Sequence, residues 1–300
     1  MGPIAEVTPP TRLTLPGNRH RSPWGRVARA FRRPRTIAGM AVLAGLLVGA
    51  LGANWLAPHD PIKSDLSLRL IRPNFTYPFG TDWIGRCLLS RVLYGSRLTL
   101  LVGIVTVTLG GAVGVGLGLL AGFFGGIVET GIMRVTDLLL AFPYFLLTIV
   151  LVAVLGPNLL NAIIAIAAWT IPQYIRLVRS VVLSMKDREF VEAARALGRT
   201  ELGILMLHVF PGCVPTIIVQ SAIFCAQNML MGASLSFLGL GAQPPSPELG
   251  AMLGAGRAYL QSAPQVVAFP ALVIFLAVLA FNFLGDALRD LTDPSVRHAF

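Results

Sequence analysis

The chain has 300 residues, 55% of them apolar and 13% charged, with a formal net charge of +10 and a mean hydropathy of +0.73. That composition excludes an ordinary soluble domain of this length and places the chain in a bilayer. Nor does the basic excess mark a nucleic-acid binder: the Lys and Arg residues stand beside apolar stretches without interleaved stacking aromatics, where anionic lipid headgroups favour them.

In chain order, residues 1–35 read as a basic tail interrupted by Pro3, Pro9, Pro10, Pro16 and Pro23. It is too long and too rich in arginine for the leading part of a signal peptide, so the first apolar span is expected to be retained. A crossing needs about 20 apolar residues, because a helix rises about 1.5 Å per residue through about 30 Å of hydrocarbon. Six stretches fit, at roughly 36–56, 98–122, 132–155, 159–175, 214–235 and 266–284. The reading is therefore an all-α, polytopic membrane protein with six transmembrane helices. Its first span covers 36–56, a periplasmic loop 57–97, a five-helix core 98–290 and a short tail 291–300.

Within the second stretch, Gly110, Gly111, Gly114, Gly116 and Gly118 put small residues where helix backbones approach closely. Gln220, Gln227 and Asn228 in the fifth and Asn282 in the sixth suit helices that face protein or a watery path, interhelical hydrogen bonding being the simpler role. Arg134 and Asp137 stand three apart near one end of the third, as a paired helix terminus or part of a gate. Lys and Arg concentrate in the tail up to Arg35 and in the segment from Arg176 to Arg199, which predicts both termini on the cytoplasmic side. Cys87, Cys213 and Cys225 lack metal-ligand spacing, and His59 with Cys87 lacks convergent partners, so structural roles are expected.

Between spans four and five lies Ser184-Met-Lys-Asp-Arg-Glu-Phe-Val-Glu-Ala-Ala-Arg-Ala-Leu-Gly198. Ser184 and Asp187 fit a capping box, and Gly198 suits a left-handed helix end. Phe190, Ala194 and Leu197 make an apolar face, whereas Arg188, Glu192, Arg195 and Arg199 make a charged one. Thr200 then caps a second helix with Glu201 in its first turn. The pattern leaves two uses open: lying on the lipid surface, or filling a groove on a soluble partner.

Glu192-Ala193-Ala194, followed by Gly198, His208 and Pro211, resembles the EAA loop of binding-protein-dependent ABC importer permeases. The resemblance implies the type I importer permease fold, with loop 184–211 as the coupling helix and Glu192, Ala193, Ala194, Gly198 and Pro211 as the ATPase-coupling positions. Further motifs are similar to the dipeptide, oligopeptide and nickel branch: Phe79-Gly80-Thr81-Asp82, Gly85-Arg86, Ala141-Phe142-Pro143, Leu235-Ser236-Phe237-Leu238-Gly239 and Asp293-Pro294. They imply a "C"-type subunit in the bacterial inner membrane. Its expected partners are a second homologous permease, two ATP-binding subunits that hold ATP and Mg, and a periplasmic or lipid-anchored substrate-binding protein. No cofactor is expected in this chain. Cys87, Gly232 and Leu249 depart from the peptide pattern; the short loop His59-Asp60-Pro61 with Asp65-Leu66 and Arg69-Leu70, the Gly85-Arg86-Cys87 variant and the missing acid at Gly232 are more similar to nickel or metallophore permeases and tilt the cargo toward nickel or a metal chelate rather than a di- or oligopeptide. An ion-coupled secondary transporter or channel would place partnered acids deep in its spans, and an enzyme would gather its nucleophile, base or metal ligands; the acids here sit at span ends and the histidines are scattered.

Overall fold

The computed structural model describes residues 34–292. Most of the basic tail, with His20, and the end of the chain, with Asp293, Pro294, Arg297 and His298, lie outside the described residues. Among the described residues the chain is all-α and forms no strand, only an isolated bridge between Thr81 and Cys87. Helices α1 (Pro34–Leu51) and α2 (Ala53–Leu56) lead into a loop, and α3 (Leu88–Phe124) is followed by α4 (Gly126–Ala141) and α5 (Tyr144–Leu155). Next come α6 (Leu159–Met185), α7 (Glu189–Ala196), α8 (Glu201–Ile204), a π-helical turn (Leu205–Val209), α9 (Phe210–Phe237), α10 (Leu249–Gly256) and α11 (Gln265–Thr292).

Five segments are long and apolar enough to cross a bilayer: α1, α3, α6, α11 and the continuous run from α8 through α9. The sixth crossing is broken. Where hydropathy alone gives one span over 132–155, α4 and α5 meet at a 92° bend at Phe142 and Pro143, because a proline lacks the amide hydrogen that a continuing helix needs. The loop expected over 57–97 ends at residue 87, and α3 begins ten residues earlier than the apolar stretch. At 37 residues it is about 55 Å long, so it must protrude beyond the hydrocarbon.

The centre of the bundle is α3 against α6. Of the glycines picked out by sequence, Gly110, Gly114 and Gly118 face α6, joined by Gly122: a Cβ at Gly114 would lie 2.6 Å from the Ile171 carbonyl oxygen and from Tyr174 Cβ. Gly111 is looser, and Gly116 faces open space. Helix α9 closes the third side. Asn228 Nδ2 donates to Thr106 Oγ1 at 2.9 Å and Thr170 Oγ1 at 3.1 Å, tying α9 to α3 and α6, and Tyr174 shares a 2.7 Å hydrogen bond with Ser221. Arg97, assigned by sequence to the loop, sits on α3 and donates to the Ala50 and Leu51 carbonyls that end α1, neutralising that helix terminus.

The loop itself is organised by Asp82. Its carboxylate accepts from the backbone of Ile84 and Arg86 and lies 2.6 Å from the Arg86 guanidinium. At Gly85 the backbone has φ +79°, and a Cβ would sit 1.7 Å from the Asp65 carbonyl oxygen, so only glycine fits. Cys87 is buried at the cap of α3. The Thr81, Asp82, Gly85 and Arg86 cluster thus folds the loop onto the head of α3.

Candidate functional site

The segment after α6 is built on an extension of that helix. Sequence ends the fourth span near Ile175 because Arg176 and Arg179 follow. In the structure α6 continues to Met185, its arginines engaged by acids on α4: Arg176 contacts Asp137 at 2.9 Å, and Arg179 pairs with Glu129. Asp137 therefore pairs across helices, and not with Arg134 as its spacing suggested. Ser184 is inside α6, where its hydroxyl donates to the Val181 carbonyl. The capping box is absent; α7 starts at Glu189 with Arg188 as its cap and no side-chain cap bond.

Helix α7 rests on an apolar seat made by Leu119 and Phe123 at the end of α3, Val178 and Val182 on α6, Ile204 of α8, and Leu205, Val209 and Cys213 beyond it. The residues it inserts are Val191, fully buried, and Ala194, 6% exposed. Phe190 and Leu197 point outward, Leu197 with 85% of its surface exposed, whereas Ala194, read from sequence as part of the same apolar face, turns inward. Glu192 and Ala193 are exposed as well. The exposed surface of α7 thus joins an acid, a small residue and two large apolar side chains, whereas Ala194 belongs to the seat.

Gly198 ends the helix. Its φ is +77°; its N–H bonds the Arg195 carbonyl at 2.9 Å, and Arg199 N–H bonds the Ala194 carbonyl at 3.2 Å, the paired closure of a Schellman motif. Thr200 caps α8 through the Gly203 amide at 3.2 Å. Across this turn Arg195 and Glu201 form a two-pronged contact of 2.9 and 3.1 Å, and that carboxylate makes the guanidinium hold its proton more tightly than usual. The pairing spans six residues and a turn, outside the three- and four-residue spacings that sequence reading tests.

Pro211 stands apart from the seat, exposed in the first turn of α9. It follows the π turn, whose wider loop closes from Phe210 N–H to the Leu205 carbonyl. Such a turn absorbs the bond that a proline cannot make. From there the helix runs into the bilayer without a break. Helix α7 thus sits between α6, which ends at Met185, and the run from α8 into α9, and both contribute to its seat.

Sequence reading missed Glu248, a buried acid between α9 and α10 that caps the latter through the Ala251 amide at 2.8 Å. Burial pushes its carboxyl above the usual range, opposed by hydrogen bonds from Ala251, Gly250, Ser236 and Thr99. Its nearest signal was the Pro-Glu-Leu-Gly sequence, which places an acceptor at a helix start.

Residues 114–298 match the family described as binding-protein-dependent transport system inner membrane component, and residues 22–73 match the N-terminal TM domain of oligopeptide transport permease C. The glutathione transport system permease protein GsiD of Escherichia coli O157:H7 is 46% identical over 279 residues, 92% of each chain. Its counterpart in Shigella boydii serotype 4 matches with the same figures. Among solved structures, an inward-facing MetNI methionine ABC transporter aligns with a TM-score of 0.55 and 20% identity over 67% of this chain and 96% of that one, a likeness of fold.

Proposed function

The chain belongs to the family of binding-protein-dependent transport system inner membrane components, the permease subunits of ATP-driven importers, and from that premise we propose that its cargo is a short peptide such as glutathione. As a permease subunit it spans the membrane several times, catalyses no covalent step, and works with a partner permease, an ATPase and a substrate-binding protein.

The cargo reading rests on one observation, the 46% identity over nearly the whole length to permeases named for glutathione transport. The departures that tilted the sequence toward nickel have packing explanations. Cys87 and Leu249 are buried, and a Cβ at Gly232 would lie 2.6 Å from Val102 Cγ1.

The assembly we infer holds one related permease facing this chain, two ATPase subunits that bind ATP and Mg, and a periplasmic or lipid-anchored binding protein. Both termini are cytoplasmic, in keeping with the arginines at that side. Glu192 and Ala193, with Phe190 and Leu197, meet a groove on one ATPase subunit, while Ala194 and Gly198 hold α7 in place. Pro211 fixes the entry into α9. An ATPase shifts the permease only through contacts that differ in free energy between its two states, and α7 is where this chain offers such contacts.

The test is uptake of labelled glutathione, a labelled dipeptide and labelled nickel by source cells with and without this chain, at low external concentration. Loss of peptide uptake with nickel uptake intact is expected. Loss of nickel uptake alone would overturn the peptide reading.

A further inference from the structure

From Ala222 to Ser236, helix α9 is packed on most of its circumference. Phe224, Cys225, Asn228, Met229 and Gly232 are buried, with Met229 against Gly103 and Gly232 against Val102 of α3. A narrow strip is left over. Gln227 and Leu230 are exposed on it, and Gln220, one heptad before Gln227, is half-buried on the same side.

The strip is polar where a lipid-facing strip would not be. Exposed hydroxyls in the spans are satisfied within their own helix, as Thr108 is by the Ile104 carbonyl at 2.8 Å and Ser234, one heptad beyond Gln227, is by the Leu230 carbonyl at 2.8 Å. Among the described residues neither Gln220 nor Gln227 makes a side-chain hydrogen bond. A carboxamide brings two N–H donors and an oxygen acceptor, and hydrocarbon answers none of them. Both residues lie inside the apolar run Glu201–Phe237, so the strip is suited to face water, a polar ligand or a polar surface of the partner permease at membrane depth.

Spacing narrows the ligand. One heptad is about 10.5 Å along the helix axis, close to the length of three extended residues. The strip carries no charge, so it offers hydrogen bonds to peptide groups without holding the charged ends of a cargo. It also lies on the helix that runs on directly from α8.

We propose that Gln227 and Gln220 line the translocation path and hydrogen-bond the amide groups of a passing peptide, making Gln227 a specificity-determining residue. This rests on the peptide reading above.

The test uses the full complex in proteoliposomes with a small membrane-impermeant thiosulfonate. The unsubstituted complex sets the background, to which this chain contributes three buried cysteines. Ile218, 48% exposed and half a turn around α9 from Gln227, is the control on the opposite face. Gln227→Cys and Gln220→Cys are expected to react and Ile218→Cys to remain at background. S-methylglutathione, which has no thiol to consume the reagent, should at about ten times half-saturation slow labelling of Gln227→Cys about tenfold, as one-site occupancy requires. A Gln227→Cys thiol no more reactive than that of Ile218→Cys, with and without ATP, would overturn the proposal, since the strip would then be covered by lipid or by the partner permease. Labelling without protection, while the unsubstituted complex imports peptide, would overturn the cargo contact. An unsubstituted complex that imports no peptide would be a failure of the peptide reading itself, seen in a separate assay.

Discussion

At Gly198 the chemistry is local. A Cβ there would meet nothing within 4 Å, so a side chain is penalised only by the left-handed backbone, at about 1–2 kcal/mol. Asparagine tolerates that region and β-branched residues do not. Gly198→Asn is expected to keep uptake and ATPase co-purification near native levels, and Gly198→Val to lower both; equal behaviour of the two would remove the turn from the mechanism. Gly198→Asp adds a charge beside the exposed surface proposed to meet the ATPase and is expected to weaken ATPase recovery beyond the backbone effect. Glu248 gives a different signature. Burial raises its folded pKa, so between the ordinary carboxylate range and the raised one the folded chain binds more protons than the unfolded chain. Its contribution to stability therefore falls as pH rises through that window. Glu248→Gln keeps an acceptor for the α10 cap and abolishes the titration. Its melting temperature in detergent should vary less than that of the native chain from about pH 4 to about pH 8. An unchanged slope would show that the carboxyl is not responsible.

Among the elements, α7 separates inward from outward roles. Val191 is fully buried in the seat, and Val191→Ala is expected to cost about 2 kcal/mol in stability. Leu197→Ser alters an exposed side chain, so stability should hold within about 0.5 kcal/mol while ATPase co-purification falls. If the two variants lose ATPase in proportion to their stability, Leu197 is not a contact. The same helix marks how far sequence reaches. The left-handed end at Gly198 and the Thr200 cap were legible because each depends on a residue and its near neighbours. The start was not, since Arg176 and Arg179 closed the apolar window, and only the fold shows them paired with Asp137 and Glu129. Facing was also hidden: Phe190, Ala194 and Leu197 compete with Val191 and Ala194 as the apolar stripe of an eight-residue helix, and periodicity cannot say which apolar surface meets this chain and which meets a partner. The break at Pro143 was concealed because hydropathy runs straight through it.

Over the whole molecule, the approach of α3 to α6 positions everything else. Helix α6 delivers α7, the end of α3 supplies Leu119 and Phe123 to its seat, and the middle of α3 meets α9 behind the Gln227 strip. Small residues at positions 110, 114, 118 and 122 make that approach possible, four residues apart and so on one face. At Gly114 the obstacle to a larger residue is a backbone carbonyl, 2.6 Å from the would-be Cβ, which a rotamer change cannot move aside. Two residues along, a Cβ at Gly116 meets nothing within 4 Å. Since both glycines are replaced in the same helix and at nearly the same depth, helix propensity and hydrophobicity change alike, and only the interlock differs. Gly114→Val should therefore push α6 away, with loss of folded complex from membranes, whereas Gly116→Val should be recovered in native amount with native uptake. Comparable recovery of both variants would mean that α3 and α6 are held apart by more than the glycine groove allows, and that α7 receives its position from some other contact.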